Sequence, residues 1–413
     1  MNRRIWLVCI FILQNVIWLH AQPAFTIFNT TNSSLPDNTV EGITIDQLGR
    51  KWIGTDYGLA VYNDTVWTIY QTTNSGISDN AIKCITFDAA GNAWIGTFNG
   101  GVNKFDGVSW TVYNTSNSGI SSNEVHDIAV DALGNKWIGT DNGLDKFNDT
   151  VWTNYNVGNS TLPVNNIGCI GIESDTLRWI GTINGGLVKM QDTVFTIYNI
   201  TNSAMPDNSI LGMKIDTAGV IWMACPAGAL VSYGNNFFYS YSTASAGNPS
   251  NTFDAIAIDS LQNIYLGSFN KGLVKKSGSN FYYWDTQNSL MPDDIVYCVA
   301  VERTGIIWAG TSVYGLVRLD ESLLVSVDEM QNEISTFNIY PNPAKDEFQI
   351  SDFRFQISRV ELFDVLGRPL FQPQTSNLKP QTPINISSLS SGIYYLRIYS
   401  EQGTFTQRFV KAN

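Results

Sequence analysis

Trp52-Ile53-Gly54-Thr55 is a tetrapeptide that recurs, intact or degenerate, seven times along the chain. Successive copies are 42 or 43 residues apart and begin at Trp52, Trp94, Trp137, Trp179, Trp222, Tyr265 and Trp308. A period in the low forties, with turn residues between short alternating segments, is typical of four-stranded blades that stack because a single blade cannot bury both of its faces. The sequence therefore predicts an all-β fold whose main body is a seven-bladed β-propeller.

The segments around each copy predict the four strands of a blade. An alternating segment such as residues 40–46 ends in an acid six residues before each aromatic, and a glycine-containing turn joins the two as strands A and B. Strands C and D follow, for example at 102–106 and 110–113. Strand A carries bulky residues on one face and small residues on the other, which suits wedge-shaped blades. We therefore interpret the seven repeated aromatics as packing between blades rather than as sugar platforms.

The two ends of the repeat array predict how the ring closes. Strand D follows six of the blades, and a spare copy, Phe25–Phe28, precedes the first blade. We expect this strand to complete blade seven, which would remove free sheet edges. Residues 323–327 are a competing candidate that lacks the aromatics.

The N-terminal residues predict export. Arg3 and Arg4, an apolar run over residues 5–19 and Ala21 have the order of zones found in a secretory signal peptide. The predicted domains are a signal peptide at 1–21, the propeller at 22–322, an acidic linker at 323–336 and a C-terminal module at 337–413.

Composition limits the partners. Removing residues 1–21 leaves 22 basic and 36 acidic residues, a formal charge of −14, and no Lys/Arg cluster remains. A nucleic acid would require a basic face, so no nucleic-acid partner is predicted. No later segment reaches the roughly 18 apolar residues of a membrane span, so no transmembrane segment is expected in the mature chain.

The sequence offers little catalytic chemistry. After removal of the predicted signal peptide the chain keeps a single histidine, His126, and it has no Asp-x-Asp-x-Asp loop. These observations predict no metal site, no cofactor and no catalytic residue. The alternative is a secreted polysaccharide lyase or hydrolase that uses His126 with Glu41 or Asp254.

The residues that differ between repeats point to a binding face. In a propeller the D-to-A and B-to-C loops emerge at one end of the strands, where strand A begins, and so surround the channel mouth. We expect a glycan or protein ligand there, while ordinary solvated loops are the alternative. The candidate binding residues are Glu41, Lys83, His126, Asp254 and Tyr297 on strand A, and Tyr57, Asn99, Asn142, Asn184 and Tyr314 in the loops.

The C-terminal module carries ordered motifs. The stretches at 340–346 (Tyr-Pro-Asn-Pro-Ala-Lys-Asp), 363–368, 389–396 and 403–411 lie in alternating segments separated by turn residues, which predicts a small immunoglobulin-like β-sandwich. Together they resemble the type A sorting domain of the type IX secretion system of Bacteroidetes. The residues that carry the resemblance are Tyr340, Pro341, Asn342, Pro343, Gly367, Gly392, Tyr394 and Lys411.

This resemblance implies partners and a location. It implies passage through the periplasm, then recognition by the type IX machinery and its sorting protease, and a final place outside the cell or on the outer-membrane surface. An ordinary immunoglobulin-like accessory module is the alternative interpretation.

The blade sequence, with its acid, Gly-Asn, Trp-Ile-Gly-Thr and Gly-Leu, resembles the two-component regulator propeller repeat, a family that includes periplasmic sensors. This sequence has one ring and neither a membrane span nor a kinase, so only a binding role is expected to carry over. We therefore expect an exported, non-enzymatic propeller that binds a glycan or protein. A structural surface adhesin is a further alternative.

Overall fold

Each repeat folds into one four-stranded antiparallel sheet in which successive strands are neighbours. The computed structural model describes residues 24–226, 229–241, 252–324, 338–351, 357–364, 368–371, 383–400 and 403–412. Two compact units are present, one up to Glu321 and one from Ser322 onward. The predicted signal peptide, most of the predicted linker and Gly367 lie outside the described residues, and the predicted domain boundaries stay predictions.

The first six blades are built from consecutive strands. They are β2–β5 (Val40–Ile45, Lys51–Thr55, Gly58–Tyr62, Trp67–Tyr70), β6–β9 (Ile82–Phe87, Ala93–Thr97, Val102–Phe105, Trp110–Tyr113), β10–β13 (Val125–Val130, Lys136–Thr140, Gly143–Phe147, Trp152–Tyr155), β14–β17 (Ile167–Ile172, Leu177–Thr182, Leu187–Gln191, Val194–Tyr198), β18–β21 (Gly212–Ile215, Ile221–Cys225, Ala229–Gly234, Phe237–Tyr241) and β22–β25 (Phe253–Ile258, Ile264–Ser268, Leu273–Ser277, Asn280–Trp284).

The seventh sheet combines strands from both ends of the ring. It contains β26–β28 (Val296–Arg303, Ile306–Thr311, Leu316–Asp320) and, outside them, β1 (Phe25–Phe28). Phe25 lies opposite Leu319, and the backbone N–H of Asp320 donates to the carbonyl of Ala24 at 2.8 Å. The spare N-terminal strand therefore pairs with the last repeat, and a short 3-10 turn, Glu321–Leu323, follows β28.

The first strands form the inner ring. In the described part of the chain, the first strand of every blade contacts that of the next, and the series returns from β26 to β2. Seven sheets in a closed cycle are a seven-bladed β-propeller, which confirms the predicted fold class.

The repeated aromatics pack between blades and are tied to the strand-ending acids. Six of the seven are buried and Trp222 is partly exposed. The indole Nε1 of Trp52 donates to the Asp46 carboxylate at 2.9 Å, and the Tyr265 hydroxyl is 3.5 Å from Asp259. The other tryptophans make the same bond to Asp88, Asp131, Glu173, Asp216 and Glu302. The five aspartates among these acids also accept backbone N–H groups of the A-to-B turns, as Asp46 does from Leu48 and Arg50, so each aspartate fixes both a turn and an aromatic.

Three junctions also stack a strand B cation on the aromatic of the preceding blade, and at a fourth the strand C Lys276 lies 5.0 Å from the ring centre of Trp222. Lys51 places its Nζ 5.1 Å from the ring centre of Trp308, and Arg178 lies 4.0 Å from that of Trp137. Lys136 lies 4.6 Å from the ring centre of Trp94. The three strand B cations are themselves buried. Such contacts contribute about 2 kcal/mol when desolvated, so they add a polar link between blades that are otherwise held by apolar packing.

The second unit is a small sandwich. One sheet contains β29 (Asn338–Tyr340), β30 (Glu347–Ser351) and β33 (Ile384–Asn385). The other contains β32 (Pro369–Phe371), β31 (Ile357–Asp364), β34 (Gly392–Ser400) and β35 (Gly403–Lys411), in that order. Residues of both sheets, including Phe348, Leu396 and Phe409, share one buried core.

The four cysteines outside the predicted signal peptide are free thiols. Cys169, Cys225 and Cys298 are buried, while Cys84 is only partly buried. Among the residues described here, no helix has the length and apolar character needed to cross a membrane.

Candidate functional site

The inner strands bulge at the candidate binding residues. Val40 pairs with Thr55 and Gly42 with Gly54, so Glu41 is the extra residue of a β-bulge. The corresponding bulge residues in five other blades are Lys83, His126, Gly168, Asp254 and Tyr297. In blade five the first strand begins at Gly212, after Leu211. Bulges change the direction of side chains and are frequent at barrel rims and beside active sites. In six blades, the bulge therefore creates a position at the channel mouth whose residue differs from blade to blade.

The two predicted loop sets lie together at this end of the strands. The backbone N–H of Gly101, in a B-to-C loop, donates to the carbonyl of Asn123, in the next D-to-A loop, at 3.0 Å. Gly315 makes the equivalent bond to Asn38 at 2.9 Å, across the closure between blades seven and one. The two loop types therefore form one continuous surface, which we call the loop-rich face.

Two candidate residues interact directly through charge. Lys83 Nζ is 3.2 Å from the Glu41 carboxylate and 5.4 Å from the ring centre of Phe98. Phe98 is 40% exposed and was not among the predicted residues. It follows strand B at a position that holds five different residue types in the seven blades, and that variability was the available signal.

Asp254 is the most electrostatically perturbed carboxyl of the face. Burial raises its pKa to about 7, with the Glu41 charge adding to the rise and Lys83 opposing it. Burial, together with the charges of Glu41 and Asp254, also raises the pKa of Tyr297. The mouth therefore holds a carboxyl group that exchanges its proton near neutral pH and can either donate or accept a hydrogen bond there.

His126 lies among several charged side chains. Burial lowers its pKa against the opposing charges of Glu124 and Asp141, and Nε2 is 4.0 Å from the Glu124 carboxylate. Within the described residues its buried Nε2 has no hydrogen-bond partner. The acids whose charges oppose this lowering of the pKa most are Glu124 and Asp141, followed by Asp127.

The loop residues divide into exposed and structural groups. Tyr57 and Tyr314 are 62% and 51% exposed. Asn142 donates its amide to the Ser121 carbonyl at 3.0 Å, and Asn184, at a φ of 70°, exchanges hydrogen bonds with Ser209. Asn99 donates its backbone N–H to Asp79 at 2.8 Å. The two tyrosines remain open to a ligand, while the side chains of Asn142 and Asn184 are engaged within the loops.

Within the described ranges, no group of three or more His, Cys, Asp or Glu side chains is arranged to hold a metal ion.

In the second unit the predicted motif residues meet at one end of the sandwich. The Asn342 side chain accepts the backbone N–H of Val410 at 2.9 Å, and Ala344 bridges Lys411 in parallel fashion. The peptide bonds before Pro341 and Pro343 are cis. Tyr340 is largely exposed.

Tyr394 and Lys411 belong to the two longest strands of that unit. Tyr394 is buried against Phe409, with ring centres 5.7 Å apart, and its hydroxyl donates to the Ser390 carbonyl at 2.7 Å. Gly392 begins β34, and Lys411, which ends β35, donates from Nζ to the Ala412 carbonyl. The Tyr-Pro-Asn-Pro stretch and the C-terminal strand therefore form one connected surface.

Family comparisons agree with both parts of this architecture. Residues 338–412 match the secretion system C-terminal sorting domain, and residues 76–99 match the two component regulator propeller. The chain thus contains a match to the two component regulator propeller within its propeller and a type IX sorting domain at its C-terminus. The sorting domain implies export to the cell surface or beyond it and an interaction with the type IX machinery.

Solved structures share the fold at low identity. The extracellular domain of a putative hybrid two-component system from B. thetaiotaomicron is 20% identical with a TM-score of 0.65, covering 95% of this chain and 58% of that one. PorZ, a surface component of the type IX secretion system of Porphyromonas gingivalis, is 16% identical with a TM-score of 0.55, covering 91% of this chain and 60% of that one. Virginiamycin B lyase from Staphylococcus aureus is 15% identical with a TM-score of 0.58, covering 72% and 98%.

At these identities the likeness shows the fold alone. The chain spans about three fifths of the length of the first two structures. No curated protein matches the sequence.

Proposed function

We propose that the propeller is a non-enzymatic binding module that takes a glycan or a protein ligand at its loop-rich face, outside the cell. The signal peptide at residues 1–21 directs the chain to the periplasm, and the sorting domain passes it on to the type IX machinery and its sorting protease. The predicted order of the domains fits this route. In that order the linker at 323–336 separates the sorting domain from the propeller.

One observation carries the proposal. The β-bulge places a different residue at the channel mouth in six blades, five of them with a side chain, while the surrounding framework repeats. A purely structural ring does not require five different side chains at equivalent positions, whereas different side chains allow a ligand to be recognised. The exposed Tyr57 and Tyr314 add apolar area of the kind that contributes most at binding sites.

The test compares two faces of the same protein. The Tyr57→Ala/Tyr314→Ala and Lys83→Ala variants are measured on a glycan array and against surface proteins of the producing cells. Tyr239→Ala is the matched control, because Tyr239 is similarly exposed at 56% but lies on an outer strand. We expect an affinity loss of about tenfold or more for the face variants, equivalent to about 1.4 kcal/mol, and none for the control. Full binding by both face variants would refute the assignment.

The export route has a separate test. Deleting residues 337–413 should leave a folded propeller in the periplasm, because the propeller forms its own compact unit. Normal appearance of the truncated chain in the medium or on the cell surface would contradict the proposed route without affecting the binding proposal.

A second candidate function is a secreted polysaccharide lyase or hydrolase. It is favoured by the buried Nε2 of His126, which lacks a hydrogen-bond partner within the described residues. If this function holds, His126→Ala should abolish turnover of a polysaccharide that the wild-type protein degrades, and unchanged turnover in this variant would exclude it.

A further inference from the structure

The junction between blades one and two lacks an ion pair that two other junctions have. Lys51 pairs with Asp64 at 2.6 Å over Trp308, and Lys136 pairs with Asp149 over Trp94. In blade two the repeat places Ala93 where these blades have lysine. It also places Gly107 where they have Asp64 and Asp149. Both members of the ion pair are therefore missing from the same blade.

A cavity of about 250 Å³ lies where the missing lysine head group would be. The Lys136 head group lies 5.9 Å from the ring centre of Phe147 as well as near Trp94 and Asp149. In the register of the repeat these three correspond to Phe105, Trp52 and Gly107, all of which line the cavity. The cavity therefore lies at the place that the Lys136–Asp149 pair fills at the next junction, and it is smaller than the roughly 300 to 1,000 Å³ of drug-sized sites.

The cavity lies away from the loop-rich face. Its wall includes Gly91 of an A-to-B turn and Gly107 of a C-to-D turn. Those turns are at the opposite ends of the strands from the B-to-C and D-to-A loops. The cavity is thus independent of the channel mouth and of the function proposed for it.

The walls of the cavity disfavour a charged ligand of either sign. Arg50 lines the cavity with its guanidinium 5.5 Å from the ring centre of Trp52, so a second cation on that ring would be repelled. Asp106 also lines it, and the backbone N–H groups of Ser109 and Val108 lower its pKa and keep it ionised, which opposes an anion. A neutral ligand avoids both penalties.

The same walls suit a ring with hydroxyl groups on its edge and C–H groups on its face. Arg50 offers hydrogen-bond donors, Asp106 offers acceptors and Asn63 offers an amide. Trp52, Tyr70 and Phe105 supply aromatic surface for the less polar face. We propose that this cavity is a second binding site, for one neutral sugar ring such as a hexose unit of a glycan.

The decisive variant refills the cavity with the residues that neighbouring blades use. Ala93→Lys/Gly107→Asp recreates the pair of blades one and three, and Asp at position 107 is tolerated because Asp64 and Asp149 adopt similar positive φ angles. A side chain at Gly107 meets nothing within 4 Å. We expect this variant to fold with an unchanged or higher melting temperature.

The probes are the methyl glycosides of glucose, galactose, mannose and N-acetylglucosamine, measured on the full-length protein by saturation-transfer NMR and calorimetry. We expect saturable binding of at least one glycoside, weakened about tenfold or more in the refilled variant and in Arg50→Gln. Arg50→Gln keeps the cavity open, so it remains informative if the refilled variant does not fold. Tyr239→Ala should bind the glycoside normally, and Arg50→Gln should keep full ligand affinity at the loop-rich face, which separates the two sites.

Three results would overturn the proposal. They are the failure of all four glycosides to bind, equal affinity in the wild-type, refilled and Arg50→Gln proteins, and preferential binding of methylguanidinium, which would show that the site accepts a cation instead.

Discussion

Replacing Asp254 by asparagine should change how the stability of the propeller depends on pH. The pKa of Asp254 is about 7 in the folded protein, against an ordinary value of 3.8. A carboxyl with a raised pKa contributes its full stability below the ordinary value and loses it as the pH rises through the folded value. The wild-type propeller should therefore lose stability between pH 5 and pH 8 through this residue.

The magnitude follows from the size of the shift. Each pKa unit corresponds to about 1.4 kcal/mol, and roughly two of the three units are traversed between pH 5 and pH 8. Asp254→Asn removes the ionisation, so the free energy of unfolding of the variant, relative to wild type, should rise by about 2 to 3 kcal/mol over this interval. Because the first cause of the shift is burial, Glu41→Gln should reproduce only part of the gain.

Urea unfolding followed by tryptophan fluorescence is the suitable assay. Apart from Trp6 and Trp18, every tryptophan lies between residues 52 and 308, so the signal reports the propeller and not the sorting domain. Asp141→Asn is the control, because it removes one negative charge from an exposed position of the same face. Parallel pH profiles for wild type and Asp254→Asn would refute the reasoning.

Three further predictions concern the framework. Asp131→Ala should lower the free energy of unfolding by about 2 to 4 kcal/mol in urea titrations, because the buried Nε1 of Trp137 loses its acceptor; an unchanged midpoint would contradict this. Gly91→Ala and Gly101→Ala both place a side chain at positive φ, near 80°, but only at Gly101 does the new carbon meet a carbonyl, at 2.2 Å. Gly91→Ala should thus cost about 1 kcal/mol and Gly101→Ala clearly more, and equal losses would show that the clash is relieved. Deleting Phe25–Phe28 should lower the melting temperature, and a synthetic peptide of that strand should restore it.

The architecture could be predicted because its determinants are local and repeated. Three features are visible directly in the sequence: the period of the aromatics, the turn glycines and the spare strand at Phe25–Phe28. The structure contains the corresponding blades. The interpretation of the tryptophans as packing between blades agrees with their burial. The sequence did not predict their hydrogen bonds to the acids six residues earlier, although that spacing is constant.

The site was less predictable because it depends on departures from regularity. Simple alternation placed Glu41, Lys83 and Asp254 in one column, but the bulge that aims them cannot be inferred from a period of two. The asparagines of the loops look like ligand groups in the sequence, yet Asn142 is engaged with Ser121 in the structure. Likewise, the cavity beside Trp52 arises from side chains that are missing, which becomes visible only when the junctions are compared.

The closure of blade seven determines how the molecule carries a mechanical load. The chain leaves the propeller at Asp320, the end of β28, and β28 is hydrogen-bonded on one side to β27 and on the other to β1. A pull transmitted through the C-terminal segment therefore acts on a strand clamped along both flanks, and not on an edge strand that can peel away one bond at a time. The first strand of the propeller thus stabilises its last strand against a force applied at the C-terminal end.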